Sequence, residues 1–145
     1  MIGALLFKLM AGSALETMNR RDLPGIMSRW HDDATFTYPM TGEIKGKKAL
    51  EEFFRKFMEQ FPEVKFKLVN VYVKNIFAFG LSNTVGVEWE YEITNREGKT
   101  FHNCGISTSR VRRGKVVASR EYYYDVDKLR EAWGVDKLIL DTPGR

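Results

Sequence analysis

The chain has 145 residues, with 23 lysines and arginines against 19 acids, a net charge of +4 and 43% apolar residues. That length suits one domain with its own core, and the composition excludes a disordered chain. A lone cysteine, Cys104, excludes a disulfide framework and a cysteine-built metal site, and no apolar run reaches the roughly 18 residues of a membrane span.

The first 62 residues carry mostly helical signals. Ile2, Leu5, Leu6 and Leu9 lie at helical spacing. Lys8 interrupts the apolar stretch from within, which is not the pattern of a secretory signal. Ser13 and Glu16 have the spacing of a capping box, so a helix restart is expected there. Asp22 is placed to cap a second short helix through Trp30, with Pro24 tolerated in its first turn. Ala34 to Tyr38 alternates as a short strand ended by Pro39, and Thr41-Gly42 turns the chain. Leu50, Phe53, Phe54, Phe57, Met58 and Phe61 then form one apolar helical stripe, stopped by Pro62.

The second half reads as strands: a long one over Val64 to Phe79, a turn at Gly80 to Asn83, and a clean alternation over Thr84 to Thr94. In the last, Val85, Val87, Trp89, Tyr91 and Ile93 face one way and Glu88, Glu90 and Glu92 the other. Thr100 to Val111 and Val116 to Asp125 follow, joined at Arg113-Gly114, with a terminal helical turn over Val126 to Trp133. Helices followed by meandering strands predict an α+β domain: a curved antiparallel sheet wrapped by N-terminal helices around a cone-shaped pocket. No internal repeat or linker divides the chain, which reads as one domain with a core over about 13–130 and terminal extensions at 1–12 and 134–145.

Three segments together are distinctive. They are Asn19-Arg-Arg-Asp-Leu23 with Trp30-His-Asp-Asp-Ala-Thr-Phe-Thr-Tyr-Pro39; Gly46-Lys-Lys-Ala-Leu-Glu-Glu-Phe-Phe54; and Cys104 to Val116 with Arg120-Glu-Tyr-Tyr-Tyr-Asp125. In order and spacing they resemble SnoaL-like proteins and ketosteroid isomerases, a superfamily shared with nuclear transport factor two, limonene epoxide hydrolases and polyketide cyclases. The resemblance implies the fold and leaves the activity open. It places Tyr38 where the isomerases hold an aspartate base, Ala14 at their oxyanion tyrosine and Ser107 at or near their protonated aspartate, so steroid isomerisation is not expected. The Arg-x-Asp pair of the epoxide hydrolases corresponds to Trp89-Glu-Tyr91, which lacks it. Asp125 resembles the late-strand acid of the polyketide cyclases. Counting from Gly114 puts that acid at Tyr124, so Asp125 enters the pocket only if a bulge shifts the strand.

The catalytic candidates are therefore Asp125 and Tyr38. A carboxyl in an apolar hollow has its charged form disfavoured and can shuttle protons near neutral pH; the plainer role for Asp125 is a strand-end cap. Trp30, Met40, Phe54, Phe57, Met58, Trp89, Tyr91, Tyr122 and Tyr124 are expected to line the hollow, with Asn103 and Ser107 as its polar contacts, or else to form ordinary core, interface or β-surface. His102 reads as an exposed strand residue and His31 as a helix-end cap. The Glu88, Glu90, Glu92 row projects in line and so does not suit a metal; it is expected to pair with Lys65, Lys67, Arg110 or Arg112.

The expectation is a SnoaL-like small-molecule-binding protein, whose enzymatic form would be a cofactor-independent cyclase, isomerase or hydrolase using general acid/base chemistry on a small apolar or aromatic molecule. A non-catalytic binding or dimeric module, and an epoxide hydrolase-like enzyme with a relocated catalytic set, are the alternatives. No cofactor and no metal are expected. The partners expected are the ligand and a second copy through the sheet, with no nucleic acid and no membrane, in the cytoplasm.

Overall fold

The computed structural model describes residues 2–75 and 82–134. In chain order its elements are α1 (Ile2–Asn19), α2 (Leu23–Met27), β1 (Trp30–Tyr38), β2 (Gly42–Lys45), α3 (Lys47–Gln60), β3 (Glu63–Val73), β4 (Ser82–Thr94), β5 (Thr100–Arg112), β6 (Lys115–Tyr123) and α4 (Val126–Trp133). The strands make one sheet in the order β2-β1-β6-β5-β4-β3. Every pairing is antiparallel except β1 with β6, which is parallel.

The N-terminal helix does not restart at Ser13. The Thr17 hydroxyl donates to the Ser13 carbonyl at 2.7 Å and α1 runs through. Asp22 caps α2 as its position predicts, accepting from the Gly25 amide at 3.0 Å, with Pro24 in the first turn. The short strand expected from Ala34 begins earlier, at Trp30. Thr41-Gly42 opens a second strand, β2, for which the sequence gives no alternation. The expected strand over Val64 to Phe79 is seen as far as Val73; its end and the start of the following turn lie outside the described residues.

The stripe on α3 is buried at Leu50, Phe53, Phe54 and Phe57, with Met58 half-buried. Its C-terminal carbonyls would be orphaned at Phe61 and Pro62. Arg21 satisfies them: its backbone takes a positive φ of 58°, and its guanidinium donates to the carbonyls of Met58, at 2.8 Å, and of Phe61. The motif at 19–23 thus ties the end of α1 to the end of α3. Asn19 reinforces it, its side chain bonding both backbone groups of Phe66 at 2.9 and 2.6 Å.

α1 lies along β3 and α3 lies across β1, both on the same face of the sheet. That inner face carries Ala34, Phe36 and Tyr38 of β1, Val85, Trp89, Tyr91 and Ile93 of β4, and Phe101 of β5, all buried. The outer face carries the acidic row, two of its members paired as alternation predicts, Lys65 with Glu92 at 3.0 Å and Lys67 with Glu90 at 2.7 Å, while Glu88 instead accepts from the Tyr72 hydroxyl at 2.9 Å. α4 closes one end of the sandwich. Its Leu129, Ala132 and Trp133 are buried, and Gln60 donates to the Ala132 carbonyl at 3.0 Å. Among the described residues no helix is long and apolar enough to cross a membrane.

Candidate functional site

The chemistry of the inner face is set by the phase of β6. Arg112 pairs with Lys115 and Val111 with Val116, but Arg110 then pairs with Ala118. Val117 is the extra residue, a bulge that shifts every later pairing by one. Ser107 consequently opposes Glu121, and Gly105 opposes Tyr123. Glu121 and Tyr123 turn inward, while Tyr122 and Tyr124 turn out, the latter 88% exposed.

Glu121 is the acid this arrangement brings inside. Tyr123 donates to its Oε2 at 3.0 Å, and the Ser107 hydroxyl approaches its Oε1 at 3.5 Å. Ser107 is itself oriented by the Trp89 indole N–H, which donates to it at 2.9 Å. Gly105 makes room for that indole. A Cβ there would lie 2.8 Å from the Trp89 ring and 2.1 Å from the Tyr122 carbonyl. Burial disfavours the carboxylate and raises the Glu121 pKa from 4.5 to about 7, against the pull of the Tyr123 and Ser107 hydrogen bonds.

Three tyrosines surround the carboxyl. Tyr38 accepts from the Trp133 indole N–H at 2.7 Å. The Tyr91 hydroxyl is buried without a hydrogen-bond partner among the described residues. Desolvation, with the Glu121 charge adding to it, pushes Tyr38, Tyr91 and Tyr123 above the ordinary tyrosine range, so all three stay protonated at neutral pH. The rings are mutually packed: Trp89 and Tyr123 at 4.9 Å between centroids, Tyr38 and Phe53 at 4.9 Å, Tyr38 and Tyr123 at 5.8 Å. The site therefore offers one carboxyl able to hold or release a proton near neutral pH, beside neutral hydroxyls that can donate to a developing oxyanion.

Of the residues expected from sequence, Tyr38, Trp30, Phe54, Phe57, Trp89, Tyr91, Asn103 and Ser107 are on the inner side, with Met40 and Met58 half-buried against the same core. Tyr122 and Tyr124 are on the outside. Asp125 shares the inward phase, but the strand ends at Tyr123 and its carboxyl caps α4, accepting from the Lys128 amide at 2.8 Å with the Lys128 ammonium 3.8 Å away. Asn103 secures that junction. Its amide donates to the Asp125 carbonyl at 2.7 Å, and its oxygen accepts from the Asp125 amide at 3.2 Å. Glu121 and Tyr123 were not among the expected site residues; the bulge that aims them leaves no mark in the alternation of Val116 to Asp125.

His102 is exposed, 3.7 Å from Glu92. It lines a groove of about 620 Å³ at the β3–β4–β5 end of the sheet, together with Lys65, Lys67, Cys104 and Tyr124 of the outer face and with Tyr91, Asn103 and Asp125. The acids and lysines there pair with each other. Among the described residues no group of three histidines, cysteines or acids is placed to hold a metal ion.

An open, curved six-stranded sheet with helices on one face and an aromatic interior is the NTF2-like fold. The chain belongs to the SnoaL-like domain family, whose model matches residues 12–119. Among solved structures it is similar to an NTF2-like protein of unknown function from Burkholderia pseudomallei (17% identity, 84% of this chain and 92% of that one, TM-score 0.72). It is also similar to a ketosteroid isomerase-like protein from Erwinia carotovora atroseptica (16%, 84% and 96%, 0.70). A third is TerC, crystallised with polyporic acid (19%, 86% and 96%, 0.70). No curated protein sequence matches significantly.

Proposed function

We propose that the chain binds a flat, uncharged, oxygen-bearing apolar molecule against its inner face and acts on it by general acid/base chemistry, with Glu121 as the proton carrier. The observation that carries this reading is the Trp89–Ser107–Glu121–Tyr123 hydrogen-bonded chain, set among buried aromatic rings, with no cation paired to Glu121 among the described residues. With no described cation paired to Glu121, an anionic ligand beside it would find no counter-charge there. The likeness to TerC, crystallised with polyporic acid, supports a small organic ligand in this fold. Tyr38 and Tyr91 would donate to the ligand's oxygen.

The test is a panel of neutral quinones, aromatic ketones and lactones, screened first for binding by thermal shift and then for turnover. With any compound turned over, Glu121→Gln is expected to lower kcat by about 10²- to 10⁴-fold. Asp125→Asn should leave it within about twofold, because asparagine caps a helix as well as aspartate does. The reverse ranking would return the role to Asp125.

A second reading has its own support. The indole of Trp133 fills the space between Tyr38, Phe53, Phe57 and Phe61 with the chain's own side chain, at centroid separations of 4.9 to 6.2 Å. That favours a binding or interaction module without turnover. Binding with no turnover across the panel, in parent and Glu121→Gln alike, selects this reading.

For the outer face we propose a second copy of the chain. Tyr72, Tyr122 and Tyr124 are exposed on it, while the neighbouring lysines and glutamates already neutralise one another. A partner surface therefore needs apolar area and no net charge, which the same face supplies. Light scattering at micromolar concentration is expected to give twice the chain mass, falling to one on Tyr122→Glu with Tyr124→Glu.

A further inference from the structure

The surface cations fall into two populations. Lys47, Arg55, Lys65, Lys67, Lys99 and others each face a carboxylate. Ten others are exposed and face none among the described residues: Arg20, Lys48, Arg96, Arg110 and Arg120, and the five that matter here, Lys8, Lys74, Arg112, Arg113 and Lys115. These five gather at one end of the molecule. Lys74 leaves β3 with its amide bonded to the Thr84 carbonyl at 2.9 Å, Ser82 pairs with Arg112, and Arg113-Gly114 turns the chain into Lys115. The first turns of α1 cover the same end. Phe7 is buried there against Val85 and Val111, with Met10, Val71 and Val73 packed beside them.

No acid occurs at positions 1–12, 69–75, 82–87 or 105–120. Five cations exceed the net charge of +4, so the rest of the chain is slightly acidic and the positive charge belongs to this end. The end also exposes apolar area. α1 buries Phe7 and Ala11 on its inward side, yet its outward side shows Leu5, Leu6 and Leu9 at 59%, 44% and 63% exposure. A helix that is apolar all round requires cover on both sides, and here only one is covered.

We propose that this end lies against an anionic lipid surface. In that pose Leu5, Leu6 and Leu9 enter the boundary between headgroups and acyl chains, Lys8 extends its ammonium back to the headgroups, and Lys74, Arg112, Arg113 and Lys115 meet lipid phosphates and carboxylates. A nucleic acid would satisfy the cations but not the leucines. The described part of this end exposes one aromatic, Tyr72, whose hydroxyl is engaged by Glu88, where base stacking would call for several interleaved with the cations. The surface is separate from Glu121, so the outcome does not depend on the functional reading above.

The test is co-sedimentation of the full chain with phosphatidylcholine vesicles containing about a third phosphatidylserine, the share of anionic headgroups that would attract these cations. Binding is expected at about 0.05 M salt, weakening tenfold or more at about 0.5 M salt or without phosphatidylserine. Leu5→Ser with Leu9→Ser, and separately Lys74→Glu with Arg112→Glu, should each weaken it tenfold or more while the circular dichroism and thermal midpoint stay at the parent's values. A polarity-sensitive fluorophore on Leu9→Cys, in a Cys104→Ser background, should shift to the blue on adding vesicles. Equal binding to pure phosphatidylcholine, parent-level binding by the leucine variant, or an unshifted fluorophore would each overturn the proposal. So would polyuridylate binding tighter than vesicle binding and unchanged in the leucine variant, an outcome that assigns the end to nucleic acid.

Discussion

Glu121→Gln is expected to stabilise the protein above neutral pH. The carboxyl titrates at about 7 in the folded protein and near 4.5 when exposed. Between those values the folded state keeps a proton that the unfolded chain has lost, so stability falls as pH rises, and the loss is complete above about 7. At 1.36 kcal/mol per pKa unit the loss amounts to about 3 kcal/mol. Glutamine cannot ionise, and its carboxamide can still accept from Tyr123. Urea unfolding of parent and variant should therefore nearly coincide at pH 4.5 and separate by about 3 kcal/mol at pH 8, the variant being the more stable. Parallel curves across that range would mean that the carboxyl is solvated and no acid of the kind proposed.

Trp133→Ala should have the opposite sign and be larger. The indole is buried against four aromatic rings and holds the Tyr38 hydroxyl through its N–H. Truncation leaves a cavity, and substitutions of this kind cost about 3–5 kcal/mol. Because the hole has the shape of an indole, millimolar indole should raise the variant's thermal midpoint and leave the parent's unchanged. A stability change under about 1 kcal/mol would show that α4 is loosely docked and that Trp133 is no part of the core.

Much of this architecture is legible in the chain because it rests on local periodicity. The α3 stripe from Leu50 to Phe61, the alternation of Val85 to Ile93 against the glutamates, and the breaks at Pro39, Pro62 and Gly114 each declare an element from its own residues. The pairing of Lys65 and Lys67 with the acidic row follows from the same alternation. What periodicity cannot show is a pairing decided by a distant strand. β2 is four residues long and exists because β1 offers an edge to Gly42–Lys45. The one parallel contact brings Phe36 beside Ser119, more than eighty positions away.

The site divides along the same line. The aromatic wall was readable from Trp30, Tyr38, Phe54, Phe57, Trp89 and Tyr91, and Ser107 from its strand phase. The acid was not. Asp125 looked right by position, but it begins a helix, and the need of α4 for an N-cap claims its carboxyl. The basic residues are scattered along the sequence. Five of the unpaired ones come together only after two hairpins and a helix have brought positions 8, 74 and 112–115 to one end.

The bulge at Val117 means that the character of the interior is written in chain length as much as in residue identity. Deleting a regularly paired residue just beyond it, such as Ala118, would rotate the rest of β6 by half a turn, exchanging Glu121 and Tyr123 for Arg120, Tyr122 and Tyr124. An acidic, proton-carrying interior would become a cationic one suited to anions, with the sheet and helices otherwise unchanged. In a fold of this kind, a single insertion or deletion near a hairpin gives evolution a route between ligand chemistries that no series of point substitutions matches for economy.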